Sequence, residues 1–367
     1  MHGSSTGLGA FVAARALVIA AMAVLTCAPT ALGAGIQVTG GETQLRLSPG
    51  LEKALGKDGV TIQPLAPARL KGRNLILPVA AGAFDADADT DTLAHIGGLK
   101  LASGKRSVSL RRLSFDASTK SLSATVAGKR IHIARLVGGS LERDGFDARL
   151  KVKRMPLTGT AAATLNKVLE LPKILRAGRS LGSASGLGEA SVVDIDFGKI
   201  AIGGPETVFS KLEALKVQMG LWGGSERWAA PGENYFLFDI APTTVTRDAS
   251  AGILDTQEND GISMQIHESP PREMLLRHPR IDLTTRELGA TLTPLSKENP
   301  VTGTIATLDY TTATIQIRPK VGAFELMGIR AISTQFIADQ LNTRFATPGL
   351  FQPGETLARM TITLHAR

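Results

Sequence analysis

The chain has 367 residues, of which 43% are hydrophobic, 20% charged and 4% aromatic, with a formal net charge of +8. This composition excludes a disordered protein, a coiled coil and a multi-span membrane protein. The single cysteine excludes a disulfide scaffold and a metal site built from cysteines, and the 39 glycines and 18 prolines favour a turn-rich β protein.

Residues 1–34 have the pattern of a secretory signal peptide. Arg15 is followed by the apolar run Ala16–Leu25, and small residues complete the segment. We therefore expect export, with cleavage after Gly33 or Ala34 and localisation in the medium or at the cell envelope. Two alternatives stay open, which are an uncleaved membrane anchor and a lipoprotein acylated on Cys27.

The elements that follow are mostly short strands. Ser48 as N-cap and Pro49 predict a short helix over Leu51–Leu55. Two further helices are expected over Thr158–Leu169 and Ser333–Arg344, each stopped before a proline. Alternating apolar and polar residues predict strands at Val108–Leu110, Leu122–Val126, Ile131–Ile133, Ala148–Val152, Ile262–Ile266, Thr314–Ile317 and Met360–Leu364.

Many short strands and few helices predict a mainly β protein with two tandem antiparallel domains. Each domain is expected to be sandwich-like or partly closed, with one or two short helices. A pattern repeats after roughly 160 residues, which places the first domain at 35–203 and the second at 204–367. The matching segments are Gly72–Leu77 with Gly232–Leu237, Leu93–His95 with Gln265–His267, Leu113–Phe115 with Ile281–Leu283, and Leu122–Val126 with Leu288–Leu292.

The positive charge is concentrated in residues 100–154, which contain 14 Lys and Arg residues but only 4 Asp and Glu residues. Alternation predicts that Arg149, Lys151 and Lys153 lie on one face of a strand. One interpretation is an ordinary solvated sheet face. The other is attraction to an anionic partner, such as a cell-wall polymer, lipid head groups or a carboxylated ligand. The lack of interleaved aromatics and the expected export argue against nucleic acid.

Four segments of the second half resemble the Htaa domain, a haem (heme)-binding and haem-uptake module of secreted and surface proteins. They are Ile266-His267, Pro279–Leu283, Leu288–Leu292 and Phe351–Leu357. The first half is similar to a variant with the pattern His-x-Gly-Gly-Leu, present here as His95–Leu99. The resemblance implies two divergent tandem repeats, a β fold, haem as ligand and a role in iron uptake at the cell envelope.

The resemblance also implies site residues. Haem iron needs an axial donor, and the family's histidine corresponds to His267. We add Tyr235 as our own candidate second donor, because its strand precedes that of His267 and same-face residues of neighbouring strands converge. Further candidate ligands are His278 and, in the first half, His95. Arg272, Arg277 and Arg280 are close enough in sequence to bind the propionates.

Motifs for catalysis are missing from the sequence. It contains no His-Glu-x-x-His, no Gly-x-Ser-x-Gly, no Walker loop and no dinucleotide fingerprint. We therefore expect a protein without enzymatic activity. Two hypotheses remain, namely an exported protein that binds haem or another anionic ligand, and a structural or adhesive envelope protein that contacts anionic polymer or lipid and has no small ligand.

Overall fold

The computed structural model describes residues 36–84, 91–204, 207–230, 233–269, 271–294 and 299–366. The predicted signal peptide lies outside these residues. Among the helices within them, none is long and apolar enough to cross a membrane. The fold is mainly β with antiparallel strands in two large sheets, which confirms the predicted fold class.

Side-chain caps explain where three of the helices begin. The hydroxyls of Ser48, Thr158 and Thr334 accept hydrogen bonds from the backbone N–H three residues further on. The α-helices of the described residues are α1 (Pro49–Lys57), α2 (Gly159–Leu169), α3 (Thr207–Ala214) and α4 (Gln335–Arg344), and Pro319–Val321 forms a short 3-10 helix. The sequence predicted α1, α2 and α4, whereas α3 was not expected.

The first sheet contains the strands up to residue 190. Its strands are β1 (Ile36–Leu47), β2 (Val60–Leu65), β3 (Arg69–Lys71), β4 (Asn74–Phe84), β5 (Thr92–His95), β6 (Gly98–Ser103), β7 (Arg106–Asp116), β8 (Ser121–Val126), β9 (Lys129–Arg135), β10 (Val137–Asp144), β11 (Asp147–Arg154) and β12 (Gly182–Ala190). Hydrogen bonds join them in the order β10-β11-β12-β1-β4-β5-β7-β6-β2. Strand β3 pairs with β4, and β8 pairs with both β7 and β9.

The second sheet begins directly after the first. Its strands are β13 (Val192–Gly203), β14 (Gln218–Trp222), β15 (Glu226–Ala230), β16 (Glu233–Ile240), β17 (Thr243–Thr246), β18 (Ile253–Asp255), β19 (Gly261–Ile266), β20 (Arg272–Asp282), β21 (Glu287–Pro294), β22 (Val301–Asp309), β23 (Thr314–Arg318), β24 (Ala323–Ser333) and β25 (Thr356–Ala366). The order is β14-β19-β20-β21-β22-β24-β25-β13-β16-β15, with β17 on β13, β18 on β20 and β23 on β24.

The same strand order occurs twice, as the internal repeat predicts. The path β10-β11-β12-β1-β4 matches β23-β24-β25-β13-β16, and the neighbours β2-β6-β7-β8 match β14-β19-β20-β21. The predicted boundary at 203/204 differs from the structure, because β13 pairs with β25 and β16 and belongs to the second sheet. We call residues 36–190 the first lobe and residues 192–366 the second lobe.

Each sheet curls around its own apolar core, and two helices close each core. Leu51 and Leu55 of α1 are buried with Leu165 of α2 in the first lobe. Val208 of α3 and Ile337 of α4 take the corresponding places in the second lobe. Because the helices fill the inner side of each sheet, the polar residues that alternate with the core residues face outwards.

One aromatic side chain of the first lobe lies in the core of the second. Phe146, in the turn between β10 and β11, is 1% exposed and stacks on Phe324 of β24 with 4.5 Å between ring centroids. Its backbone N–H donates to the carbonyl of Pro319 over 3.0 Å. The lobes are therefore joined by a buried contact as well as by the chain at Ser191.

Residues on both sides of Phe146 fix this contact. Gly145 has φ +69° and lies so close to Pro319 that an added Cβ would be 1.6 Å from its carbonyl oxygen, which excludes a side chain here. Asp147 forms a two-pronged ion pair with Arg247 of the second lobe, and one of its hydrogen bonds, from Nη2 to Oδ2, measures 3.1 Å. The turn is thus held by packing, backbone and charge together.

Candidate functional site

His267, the histidine implied by the resemblance, lies on the surface directly after β19. Its side chain is exposed, and its Nε2 is 3.0 Å from the side-chain oxygen of Gln218 on β14. Strand β14 begins the hydrogen-bonded path of the second sheet, so His267 lies near one end of that path.

Tyr235 lies on a different part of the same sheet. It belongs to β16, where it pairs with Gly203 of β13 and with Trp228 of β15. Strand β16 is next to the opposite end of the path from β19, so the two strands are not neighbours. Strand pairing therefore does not place Tyr235 beside His267, because β17 and β18 intervene in the chain and the sheet does not follow chain order. A shared site of the two residues stays a prediction.

Two of the three predicted propionate ligands, Arg277 and Arg280, lie towards the far end of β20 from His267. Ile266 pairs with Arg272, and Gly261 pairs with Arg277, so five residues of strand separate the two ends. At about 3.4 Å per residue this is roughly 17 Å. Only Arg272 is near His267, and it donates to the carbonyl oxygen of Phe345 over 2.5 Å.

His278 and Arg280 are held by an acidic side chain of their own lobe. Asp255 of β18 lies 3.3 Å from Nε of Arg280 and 3.8 Å from Nε2 of His278. Arg277 reaches the side-chain oxygen of Asn259 over 3.3 Å. These side chains therefore interact with groups of the protein, and the geometry does not present them together towards a ligand at His267.

His95 is a core residue of the first lobe. It is 2% exposed, with Nδ1 3.2 Å from the carbonyl oxygen of Leu113 and Nε2 2.7 Å from the hydroxyl of Thr43. Because a carbonyl oxygen only accepts, Nδ1 carries the proton and Nε2 accepts from Thr43. Burial lowers the pKa of His95 to about 4. Both ring nitrogens are engaged, which leaves no lone pair for iron.

Two observations bear on the haem ligand that is expected in the second lobe. Among the described residues there is no group of three or more His, Cys, Asp and Glu side chains placed to hold a metal ion. The enclosed cavity of this lobe has a volume of about 40 Å³ and is lined by apolar side chains such as Met264, Leu276 and Leu341. Cofactor pockets usually occupy about 300–1,000 Å³ and contain polar anchors.

A concave polar surface lies instead on the outer face of the first lobe. It crosses β10, β11, β12, β1 and β4 and has two adjoining parts of about 720 and 470 Å³, which share Gln44, Lys151 and Ser185. We call it the serine trough, because Ser183 and Ser185 of β12 form its floor. Five strands span about 19 Å at 4.8 Å between neighbours, so the trough is broad.

The register of the strands places basic side chains on both sides of this floor. Ser185 pairs with Lys151 on one side and Gln44 on the other, and Ser183 pairs with Arg46. Lys153 lies two residues beyond Lys151 on the same face of β11. The sequence predicted that Arg149, Lys151 and Lys153 share one exposed face, and all three are exposed on that face.

Only some of these cations have acidic partners. Lys151 lies 3.0 Å from Glu142, and Arg149 is paired with Asp144. In contrast, Arg46 and Lys153 have no carboxylate within 4.0 Å among the residues for which coordinates are described. Two uncompensated cations therefore lie on either side of Ser183, about 10 Å apart by strand spacing.

Sequence reasoning missed half of this surface. Arg46 and Ser183 are far apart in the chain, and only the pairing of β1 with β12 brings them together. A signal was available in Gly182–Ala190, where serines alternate with small residues and leave one face of a strand open.

No protein-family model matches the chain, and no curated protein sequence matches it. Among solved structures, the C-terminal domain of HtaA from Corynebacterium glutamicum is similar to part of the chain. The TM-score is 0.35 and the sequence identity 12%, and the alignment covers 48% of this chain and 99% of that domain. At this distance the similarity supports no conclusion about ligand or function.

Proposed function

We propose that the chain is a non-catalytic protein of the cell envelope that binds an anionic polymer in the serine trough. The observation that carries the proposal is the pair Arg46 and Lys153, which flank Ser183 without acidic partners among the described residues. Uncompensated cations on one sheet face repel each other, and an anionic ligand between them removes this repulsion. Export by the predicted signal peptide is part of the proposal.

The shape of the trough favours a polymer chain over a membrane surface. Ser183 and Ser185 lie between the longer side chains of β11 and β1, so a flat bilayer would meet the cations before the serine hydroxyls. A single extended chain of sugars or sugar phosphates fits between the two rows, where hydroxyls and Gln44 bind its neutral groups and the cations bind its charges.

The strands that form the trough make it rigid. Strands β11, β12 and β1 are hydrogen-bonded on both sides, and the buried pair of His95 and Thr43 lies beneath them. Thr43 pairs with Gly186, where an added Cβ would lie 2.4 Å from the Thr43 hydroxyl. The cations are thus held on a backbone that loses little freedom on binding, which favours affinity.

The test uses the full mature chain and immobilised polygalacturonate, with neutral dextran as a blank. We expect Arg46→Gln with Lys153→Gln to weaken binding at low salt about tenfold or more, since two charge-assisted contacts are lost. The matched control is Lys199→Gln with Arg318→Gln, which removes the same charge from the second lobe. If both double variants lose the same affinity for the polymer, net charge explains the binding and the proposal is contradicted. Binding to anionic vesicles but not to the polymer would also contradict it.

A further inference from the structure

Strands β7 and β20 occupy equivalent places in the two lobes, and each contains a bulge built on a residue other than glycine. Arg112 has φ +50° in β7, and His278 has φ +49° in β20. The register with the next strand shifts at these points, between Arg111 and Ser114 in β7 and between Arg277 and Arg280 in β20. The left-handed conformation is unfavourable for such residues and is concentrated at functional sites.

In the second lobe, side chains of the protein contact the basic residues at the bulge. Asp255 faces His278 and Arg280, and the side chain of Asn259 faces Arg277. In the row across the neighbouring strands, Arg277 pairs with Thr291 and Thr291 with Thr302, whose hydroxyls are 3.0 Å apart. This row therefore has one cation, and the cation already has a partner.

In the first lobe, the corresponding row has a cation at each end. Arg111 of β7 pairs with Thr125 of β8, which pairs with Arg130 of β9. The bulge adds a further exposed arginine, Arg112, next to Arg111. None of these three arginines has a carboxylate within 4.0 Å in the described part of the chain.

Directly opposed residues of paired strands have Cβ atoms about 4.5–5.5 Å apart, so Arg111 and Arg130 both lie next to Thr125. Guanidinium groups bind oxyanions through paired N–H donors, and a hydroxyl between them adds a third donor. Three positive charges match a phosphate monoester, which carries almost two negative charges and has three free oxygens, better than they match a single carboxylate.

We propose that Arg111, Arg112, Thr125 and Arg130 form a second anion site, which binds a phosphate monoester. The site lies on β7, β8 and β9, whereas the serine trough lies on β10, β11, β12, β1 and β4. The two sites share no residue, so this proposal does not depend on the proposed function. At the equivalent bulge of the second lobe, the carboxylate of Asp255 contacts His278 and Arg280, where the first lobe would bind the phosphate.

The test is a calorimetric titration of the full mature chain with inorganic phosphate at low ionic strength. We expect Arg111→Gln and Arg130→Gln each to weaken binding about tenfold or more, and Thr125→Val to weaken it several-fold. The matched control is Arg277→Gln at the equivalent position of the second lobe, for which affinity should stay within about twofold. Circular dichroism checks that every variant is folded.

The trough variant separates this proposal from the proposed function. Arg46→Gln with Lys153→Gln should leave phosphate affinity unchanged even if it abolishes binding of polygalacturonate. The proposal is overturned if phosphate shows no saturable binding, if Arg277→Gln weakens it as much as Arg111→Gln does, or if only the trough variant weakens it. If Arg111→Gln is unfolded, the Arg130→Gln and Thr125→Val titrations give the same decision.

Discussion

Replacing Phe146 by alanine is expected to destabilise the second lobe, although the residue belongs to the chain of the first. Phe146 is 1% exposed and packs against Phe324 within the core of the second lobe. The substitution removes this ring and leaves a cavity next to β24. The Arg247 ion pair with Asp147 remains, so the turn between β10 and β11 stays in place.

The size of the effect follows from the burial. Truncating a fully buried phenylalanine costs about 3–5 kcal/mol, including the cavity that remains. For a unit of this size, 1 kcal/mol corresponds to about 2–4 °C, so the unfolding temperature of the second lobe should fall by about 6–20 °C. The core of the first lobe does not contain Phe146, and its unfolding should shift less.

Calorimetry and hydrogen exchange measured by mass spectrometry decide between the lobes. In Phe146→Ala, amide protection should fall in β24 and β25, while β7 and β8 keep theirs. The matched control is Phe115→Ala, which removes a ring that is 1% exposed in the core of the first lobe and should give the reverse pattern. Loss of protection confined to β10 and β11 would refute the reasoning, since Phe146 would then stabilise only its own turn.

The remaining predictions concern His95, haem, a helix cap and processing. Because burial lowers the pKa of His95 from 6.5 to about 4, the unfolded state binds a proton that the folded state does not, and stability falls as the pH drops from about 6.5 towards 4. The loss approaches about 3 kcal/mol; urea unfolding of His95→Gln should lack this slope, and an unchanged slope would exclude His95 as its source. In a haemin titration, His267→Ala should match the parent in Soret absorbance, and a band that depends on His267 would contradict the site described above. Thr158→Ala removes the N-cap of α2 and should lower the free energy of unfolding by about 1 kcal/mol in urea titration, whereas no change would show that the cap is dispensable. N-terminal sequencing of exported protein should begin near Ala34, and an intact Met1 there would exclude cleavage.

Local signals predicted three of the α-helices and some of the strands, whereas the pairing of the strands depends on residues that are far apart in the chain. Alternation identified segments of β8 and β11, and the caps Ser48 and Thr158 identified α1 and α2, because these depend on residues close in sequence. The predicted boundary at 203/204 assigns β13 to the first domain, because the sequence pattern does not say which sheet a strand joins, whereas in the structure β13 pairs with β25 and β16. A fragment starting at residue 204 would lack a strand paired on both sides, so we do not expect it to fold alone.

In the candidate site, too, local patterns predicted some residues, whereas strand pairing added the others. The exposed row of Arg149, Lys151 and Lys153 follows from the two-residue period of one strand and was predicted. Arg46 joins it only through the register of β1 with β12, which the sequence does not display. Similarly, the two hydrogen bonds that engage His95 come from Thr43 and Leu113 on other strands, so a histidine in a strand pattern could not be distinguished from a ligand.

The position of Phe146 has a consequence for how the chain is made. Synthesis proceeds from the N-terminus, so the first lobe is complete while Phe324 and Pro319 are still to come. During that interval an aromatic ring at the tip of a hairpin is without the core that later covers it. A chain that stops near residue 190 would keep this ring exposed permanently, and we expect such a truncated product to self-associate or to be captured by chaperones. The second lobe therefore buries an apolar side chain that the first lobe leaves exposed until Phe324 has been synthesised.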